Sequence, residues 1–143
     1  VQSFELSSLL ELRNLLTVRQ IYLMEEAFRR PYDHVLAGDP RTYGDMMHPE
    51  ALKTIRSIAF GIGPNKRSIV PEVDAHLSGP TSLITDAHAA GLSVHPYAFR
   101  SDKEFLHDDY EGDPQREYRQ FIELGVDGFF SDFPDDAVKA VKK

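Results

Sequence analysis

Short apolar runs alternate with helically spaced ones along the chain. Val1–Phe4 reads as a short strand. Ser8 and Glu11 have the spacing of a capping box, and Leu9, Leu12 and Leu16 follow on one helical face. Thr17–Met24, rich in Val, Ile and Tyr, predicts a strand. The stretch 25–47 is long, polar and interrupted by Pro31, Gly38, Pro40 and Gly44, so it reads as an irregular connection. Pro49 suits a first helical turn, with Ala51, Leu52, Ile55 and Ile58 on an apolar stripe. Residues 57–62 lead as a strand into the Gly61-Ile62-Gly63-Pro64 turn, and 65–80 is again irregular. Thr81–Ala90 predicts a helix that Gly91 stops in a left-handed conformation. Leu92–Phe99 is the clearest strand pattern, and an acidic loop, 100–113, follows it. Asp113-Pro114 is an N-cap with Pro at N1 for a helix carrying Tyr118, Phe121, Ile122 and Leu124, which Gly125 ends. Val126–Ser131 predicts the last strand. Asp132 or Asp135 then caps a final helix, with Lys139, Lys142 and Lys143 near its negative end.

Strand followed by helix, about five times over, predicts an α/β protein with parallel strands and right-handed crossovers. An open doubly wound sheet and part of a (β/α)8 barrel both accommodate it. Gly61-Ile62-Gly63-Pro64 is not a dinucleotide fingerprint, since a third Gly is missing and Pro64 has no N–H. Residues with chemistry gather at the C-terminal strand ends, as at His95-Pro96-Tyr97 and Ser131-Asp132, which favours the barrel.

Composition narrows the function. The 143 residues suit one domain, 1–143, and a hydrophobic fraction of 41% supplies a core. A net charge of −7 argues against a general nucleic-acid binder. The absence of Cys removes disulfides, thiolate zinc sites and thiol nucleophiles. No apolar run approaches a membrane span, and nothing at the N-terminus resembles a signal peptide. The chain opens on Val1, straight into apolar sequence, which suggests a cut boundary.

Several motifs together resemble the bacterial glycerophosphodiester phosphodiesterases. Gln2-Ser3-Phe4 resembles that family's "qSF" strand, and Gly61-Ile62-Gly63-Pro64 its GIGP turn. Residues 86–97, ending in His95-Pro96-Tyr97, resemble its helix and following "HPY" strand. Residues 125–135, with Asp127-Gly128 and Ser131-Asp132-Phe133-Pro134, resemble its closing signature. The resemblance implies the C-terminal portion, about five strands, of a TIM-type (β/α)8 barrel of the kind seen in phosphatidylinositol-cleaving phospholipases. It implies hydrolysis of glycerophosphodiesters to glycerol 3-phosphate and an alcohol, aided by a divalent metal, calcium or magnesium. The family's His-Arg-Gly, Glu-x-Asp and second His have no counterpart in this sequence. Full barrels run to about 250 residues, and this chain starts at what resembles the fourth strand. The expectation is therefore an inactive piece with no catalytic residue and no metal ligand of its own. A non-catalytic half-barrel assembly module is the alternative.

The candidate substrate contacts are Phe4, His95, Tyr97, Lys66 and Arg100. Strand alternation sets His95 and Tyr97 on one face and Val94 and Pro96 on the other. Each of the first three reads either as a wall of the substrate site or as ordinary core packing. Lys66, Arg67 and Arg100 read either as anion contacts or as solvated loop residues. Asp102, Glu104, Asp108, Asp109, Glu111 and Asp113, with His107, form a solvated acidic loop or a metal site, and their spacing is not that of an EF-hand. Asp132 is a helix cap or a catalytic group. His34, His48 and His76 lack metal-like spacing. The partners expected are a small glycerophosphodiester, the complementary N-terminal half of the barrel, and further copies of the chain through open strand edges.

Overall fold

The computed structural model describes residues 1–142; Lys143, which the charge pattern sets at the end of the last helix, lies outside the described residues. Strand β1 (Gln2–Ser3) leads to helix α1 (Leu6–Leu12), and β2 (Ile21–Met24) to α2 (Tyr32–Ala37), α3 (Tyr43–Met46) and α4 (Pro49–Arg56). Strand β3 (Gly61–Pro64) is followed by a 3-10 turn at Lys66–Ser68 and the hairpin β4 (Glu72–Val73) and β5 (His76–Leu77). Then come α5 (Leu83–Ala89), β6 (Ser93–Val94), a 3-10 turn at Asp108–Tyr110, α6 (Pro114–Leu124) and α7 (Pro134–Val141). The main sheet runs β1-β2-β3-β6 with every pairing parallel. A fifth extended segment joins it through a bridge between Phe99 and Ser131.

Alternation in the strands decides which side chain meets the helices. Tyr22, Met24, Ile62 and Val94 point into one core with Leu9, Leu52, Ile55, Leu83, Ile84 and Ala87 from α1, α4 and α5. Ile21 and Leu23 point to the opposite face and are buried too, as expected of parallel strands covered on both sides. Beyond β6 the core is aromatic. Phe99 stacks on Tyr118 at 5.1 Å and meets Phe121 and Phe129 edge-on at 5.1 Å and 4.8 Å.

The glycines of β3 are there for close approach. A Cβ on Gly61 would stand 2.5 Å from the Ser93 carbonyl oxygen, and one on Gly63 2.6 Å from Leu23 Cδ2. Helix α6 is bounded as read: the Asp113 carboxylate accepts from Gln115 N–H, Pro114 is at N1, and Gly125 closes at φ +93°. Gly91 is left-handed after α5, as expected. No helix among the described residues is long and apolar enough to cross a membrane.

Several expectations are corrected. Ser8 lies inside α1, whose N-cap is Glu5 without a side-chain cap bond; the Ser8 hydroxyl bonds Glu5 instead. The helix ends at Leu12, so Leu16 is exposed. The strand begins at Ile21, since Thr17–Arg19 find no partner strand. The 25–47 stretch holds two short helices. The second has its own capping box, in which Thr42 and Asp45 exchange bonds, an Asp at N3 serving where Glu is usual. Of Leu92–Phe99 only Ser93–Val94 is regular strand, and Val126–Ser131 forms no regular strand, bending at Asp127 and bridging Phe99 at Ser131. Neither Asp132 nor Asp135 caps α7; its N-cap is Phe133, whose N–H donates to the Ser131 hydroxyl.

Candidate functional site

The face of the sheet away from the helices carries the site. Gln2, Leu23, His95 and Tyr97 occupy alternating positions there, and Phe4 continues β1 onto the same rim. All but His95, together with Ala98, Phe130, Ser131 and Asp132, line a cavity of about 350 Å³ at the C-terminal strand ends. Side chains of residues 128–131 alternate with the same period of two. Gly128 lies under the His95 ring, where a Cβ would stand 2.6 Å from Nδ1, and Phe130 faces that ring at 6.5 Å. Phe129 and Ser131 turn the other way, to Phe99 and to the Tyr118 hydroxyl at 2.7 Å.

Tyr97 is the best-fixed wall. Its hydroxyl donates to the Met24 carbonyl at 2.9 Å, and its ring meets Phe4 edge-on at 5.7 Å and 89°. Burial pushes the hydroxyl above its ordinary range, so it stays neutral. Phe4 is held in turn by Tyr43, which donates to the Phe4 carbonyl at 2.9 Å. Tyr97→Phe keeps the ring and loses one hydrogen bond, so a stability loss of about 1 kcal/mol in denaturant melts is expected. A loss of several times that would mean the hydroxyl anchors more than the Met24 carbonyl.

His95 is half-buried, and burial lowers its pKa, with Asp127 opposing. Its ring has no side-chain hydrogen bond among the described residues. Among the described residues it lacks the hydrogen-bonded partner that orients a general base.

Two expected contacts sit elsewhere. Lys66 and Arg67 are not on a solvated loop. The Lys66 ammonium is buried, 2.8 Å from Glu117 Oε1 and 5.3 Å from the Phe99 ring centroid, and Arg67 reaches the same oxygen at 3.3 Å. Arg100 lies 3.0 Å from Asp102 and 3.4 Å from Asp132, with its guanidinium 3.8 Å from the Phe105 ring centroid. The acidic loop is partly engaged: Asp109 accepts from Leu77 N–H at 2.7 Å and pairs with His76 at 3.0 Å. Phe130 and Gly128 are not among the expected contacts, although their alternation with Asp132 is visible in the sequence. A second cavity, about 440 Å³, lies among α3, α4 and the start of α5, lined by Met47, Pro49, Arg67 and Leu83 among others; no sequence pattern pointed to it.

The model of the glycerophosphoryl diester phosphodiesterase family matches residues 1–136. Glycerophosphodiester phosphodiesterase GDPD6 of Arabidopsis thaliana is 35% identical over 135 residues, which cover 93% of this chain and 35% of that protein. GDPDL1 of the same plant is 40% identical over 105 residues, 71% of this chain and 13% of the relative. Two solved bacterial structures described as glycerophosphoryl diester phosphodiesterases share the fold. That from Silicibacter pomeroyi has a TM-score of 0.61 at 18% identity, over 97% of this chain and 36% of the other. That from Agrobacterium tumefaciens has a TM-score of 0.55 at 21% identity, over 96% and 41%. The chain thus spans about a third of the length of the first of these relatives.

Proposed function

Since the chain belongs to the glycerophosphoryl diester phosphodiesterase family, we propose that it forms the substrate wall of a barrel that hydrolyses glycerophosphodiesters to glycerol 3-phosphate and an alcohol. The observation that carries this reading is the cavity at the C-terminal strand ends, walled by Phe4, Tyr97 and Phe130. Active sites of such barrels form at that end.

The wall's work is binding and exclusion of water. Phe4, Leu23 and Phe130 give the cavity an apolar lining, and the neutral Tyr97 hydroxyl is spent on Met24. Proton transfer needs a positioned acid or base, and no pair of this kind meets in the cavity. The family is generally divalent-metal dependent, and calcium or magnesium is the ion the resemblance suggests. Among the described residues no group of three His, Asp or Glu side chains is set to hold such an ion. Asp132 faces Arg100 and Glu25 faces Arg29. The described residues therefore do not fit a metal centre.

On this reading the isolated chain has no turnover. Purified chain assayed with glycerophosphocholine, with and without calcium or magnesium, is expected to release no glycerol 3-phosphate. Metal-dependent release that follows the purified chain would overturn the reading. Among the described residues the sheet also ends at β1, whose outer side has no partner strand. An edge of this kind recruits further strands, so the chain is expected to pair with a complementary barrel half or with itself.

A further inference from the structure

The opposite end of the sheet gathers charge of one sign. At the N-terminal strand ends, Arg13, Arg19 and Arg56 line a cavity of about 310 Å³ with Thr17, Ser57 and Phe60. No Asp or Glu lines it among the described residues. Elsewhere arginines meet carboxylates, as Arg29, Arg41, Arg100 and Arg116 do. The chain as a whole carries a net charge of −7, so three guanidiniums without a carboxylate are not its average surface.

Each arginine is set in place by a different element. Arg13 is the C-cap of α1, and its guanidinium donates to the Ser57 carbonyl at the end of α4. Its backbone N–H meets the buried Gln20 amide at 3.2 Å, in the orientation that also lets Gln20 donate to the Leu9 carbonyl at 2.8 Å. Arg19 lies over the Phe60 ring, 4.5 Å from its centroid. Arg56 ends α4 and runs past Gly91, where a Cβ would stand 3.3 Å from its Nε. Local needs explain only part of this charge. The C-terminal ends of α1 and α4 meet at the cavity. Each end carries about half a negative charge, so together they offset about one guanidinium and leave a surplus of about two positive charges. Guanidinium forks match phosphate oxygens two at a time, and Thr17 adds an exposed hydroxyl.

We propose that this cavity binds a doubly charged oxyanion of the phosphomonoester class, held by Arg13, Arg19 and Arg56. Charge selects the class. A phosphodiester bears one negative charge and leaves half the surplus unmet, whereas a phosphomonoester above neutral pH bears about two. The monoester is either free in solution or the headgroup of a lipid, and the guanidiniums meet the same chemistry in both. Barrel active sites stand at the other end of the strands, so this site is remote from the substrate wall and does not depend on that reading.

The test is calorimetric titration of the 143-residue chain with inorganic phosphate and with dimethyl phosphate, above neutral pH and at matched ionic strength. The two share a tetrahedral centre and differ by about one charge. Phosphate is expected to bind about ten-fold tighter or more. Arg19→Gln and Arg56→Gln should each weaken phosphate binding about five-fold. Lys103→Gln removes an exposed charge outside the cavity and should change nothing. Arg19 and Arg56 are exposed, and melts without phosphate report whether each variant folds. Arg19→Lys keeps the charge without the fork and should retain the fold while losing part of the affinity. Sedimentation with phosphatidylcholine vesicles, with and without phosphatidate, separates the two sources. Arginine-dependent binding to phosphatidate vesicles assigns a lipid headgroup, and calorimetric binding alone assigns a free monoester. Equal affinity for phosphate and dimethyl phosphate overturns the proposal. So does phosphate binding unmoved by both glutamine substitutions, or binding to neither phosphate nor phosphatidate vesicles.

Discussion

Glu117→Ala is expected to cost about 3–5 kcal/mol of folding stability, the usual penalty for breaking a buried ion pair. Glu117 is 1% exposed and sits on α6. Its carboxylate faces Lys66 at 2.8 Å and Arg67 at 3.3 Å, both from the turn that follows β3. Burial already pushes the Lys66 ammonium below its ordinary range, and Glu117 is the main force opposing that. Without the carboxylate the lysine is left buried against Phe99 with no counter-charge. Arg67 is partly exposed and can turn to water, so Lys66 carries most of the cost. The double substitution Lys66→Met, Glu117→Leu should recover most of the loss, because apolar replacement of a buried pair is often neutral. Urea denaturation of the three chains is the measurement. A loss below about 1 kcal/mol for Glu117→Ala would mean that water reaches the pair.

Gly61→Ala comes next in size, with a loss of about 3 kcal/mol or more expected from overpacking. The added Cβ would stand 2.1 Å from Ser93 Oγ and 2.5 Å from the Ser93 carbonyl oxygen. The hydroxyl can rotate away; the carbonyl belongs to β6, which pairs with β3 at this residue. Either β3 and β6 separate or the backbone twists. Gly79→Ala is the control, since a Cβ there meets nothing within 4 Å. It should be neutral or slightly stabilising, because Ala narrows the unfolded ensemble. Thermal melts of both variants decide the matter. Equal melting temperatures would show that the sheet yields at Gly61 without cost.

The parallel strand order was legible because its signals are local. Gly91 and Gly125 stop helices, Asp113-Pro114 starts one, and short apolar runs between them have little choice but to be strands. The face assignment of His95 and Tyr97 was legible too, since a period of two needs no tertiary knowledge. The same period of two places Gly128 and Phe130 on one side of the last extended segment. Helices α2 and α3 were hidden by Pro31, Gly38 and Pro40, which in the structure stand at or beyond the helix ends.

The sequence by itself therefore determined the order of the elements, the family signature and the face on which the aromatic wall stands. Only the tertiary structure decided what the charges do. Lys66 follows a Gly-Pro turn and reads as a solvent residue until α6, fifty-one positions later, brings Glu117 against it. Asp132 reads as a cap until Arg100 and the Phe4–Tyr97 corner are beside it. A charge acts on whatever lies within a few ångströms, and those neighbours come from distant parts of the chain. A cap, a helix stop or a strand alternation is settled within three or four residues, which is why the sequence carries it.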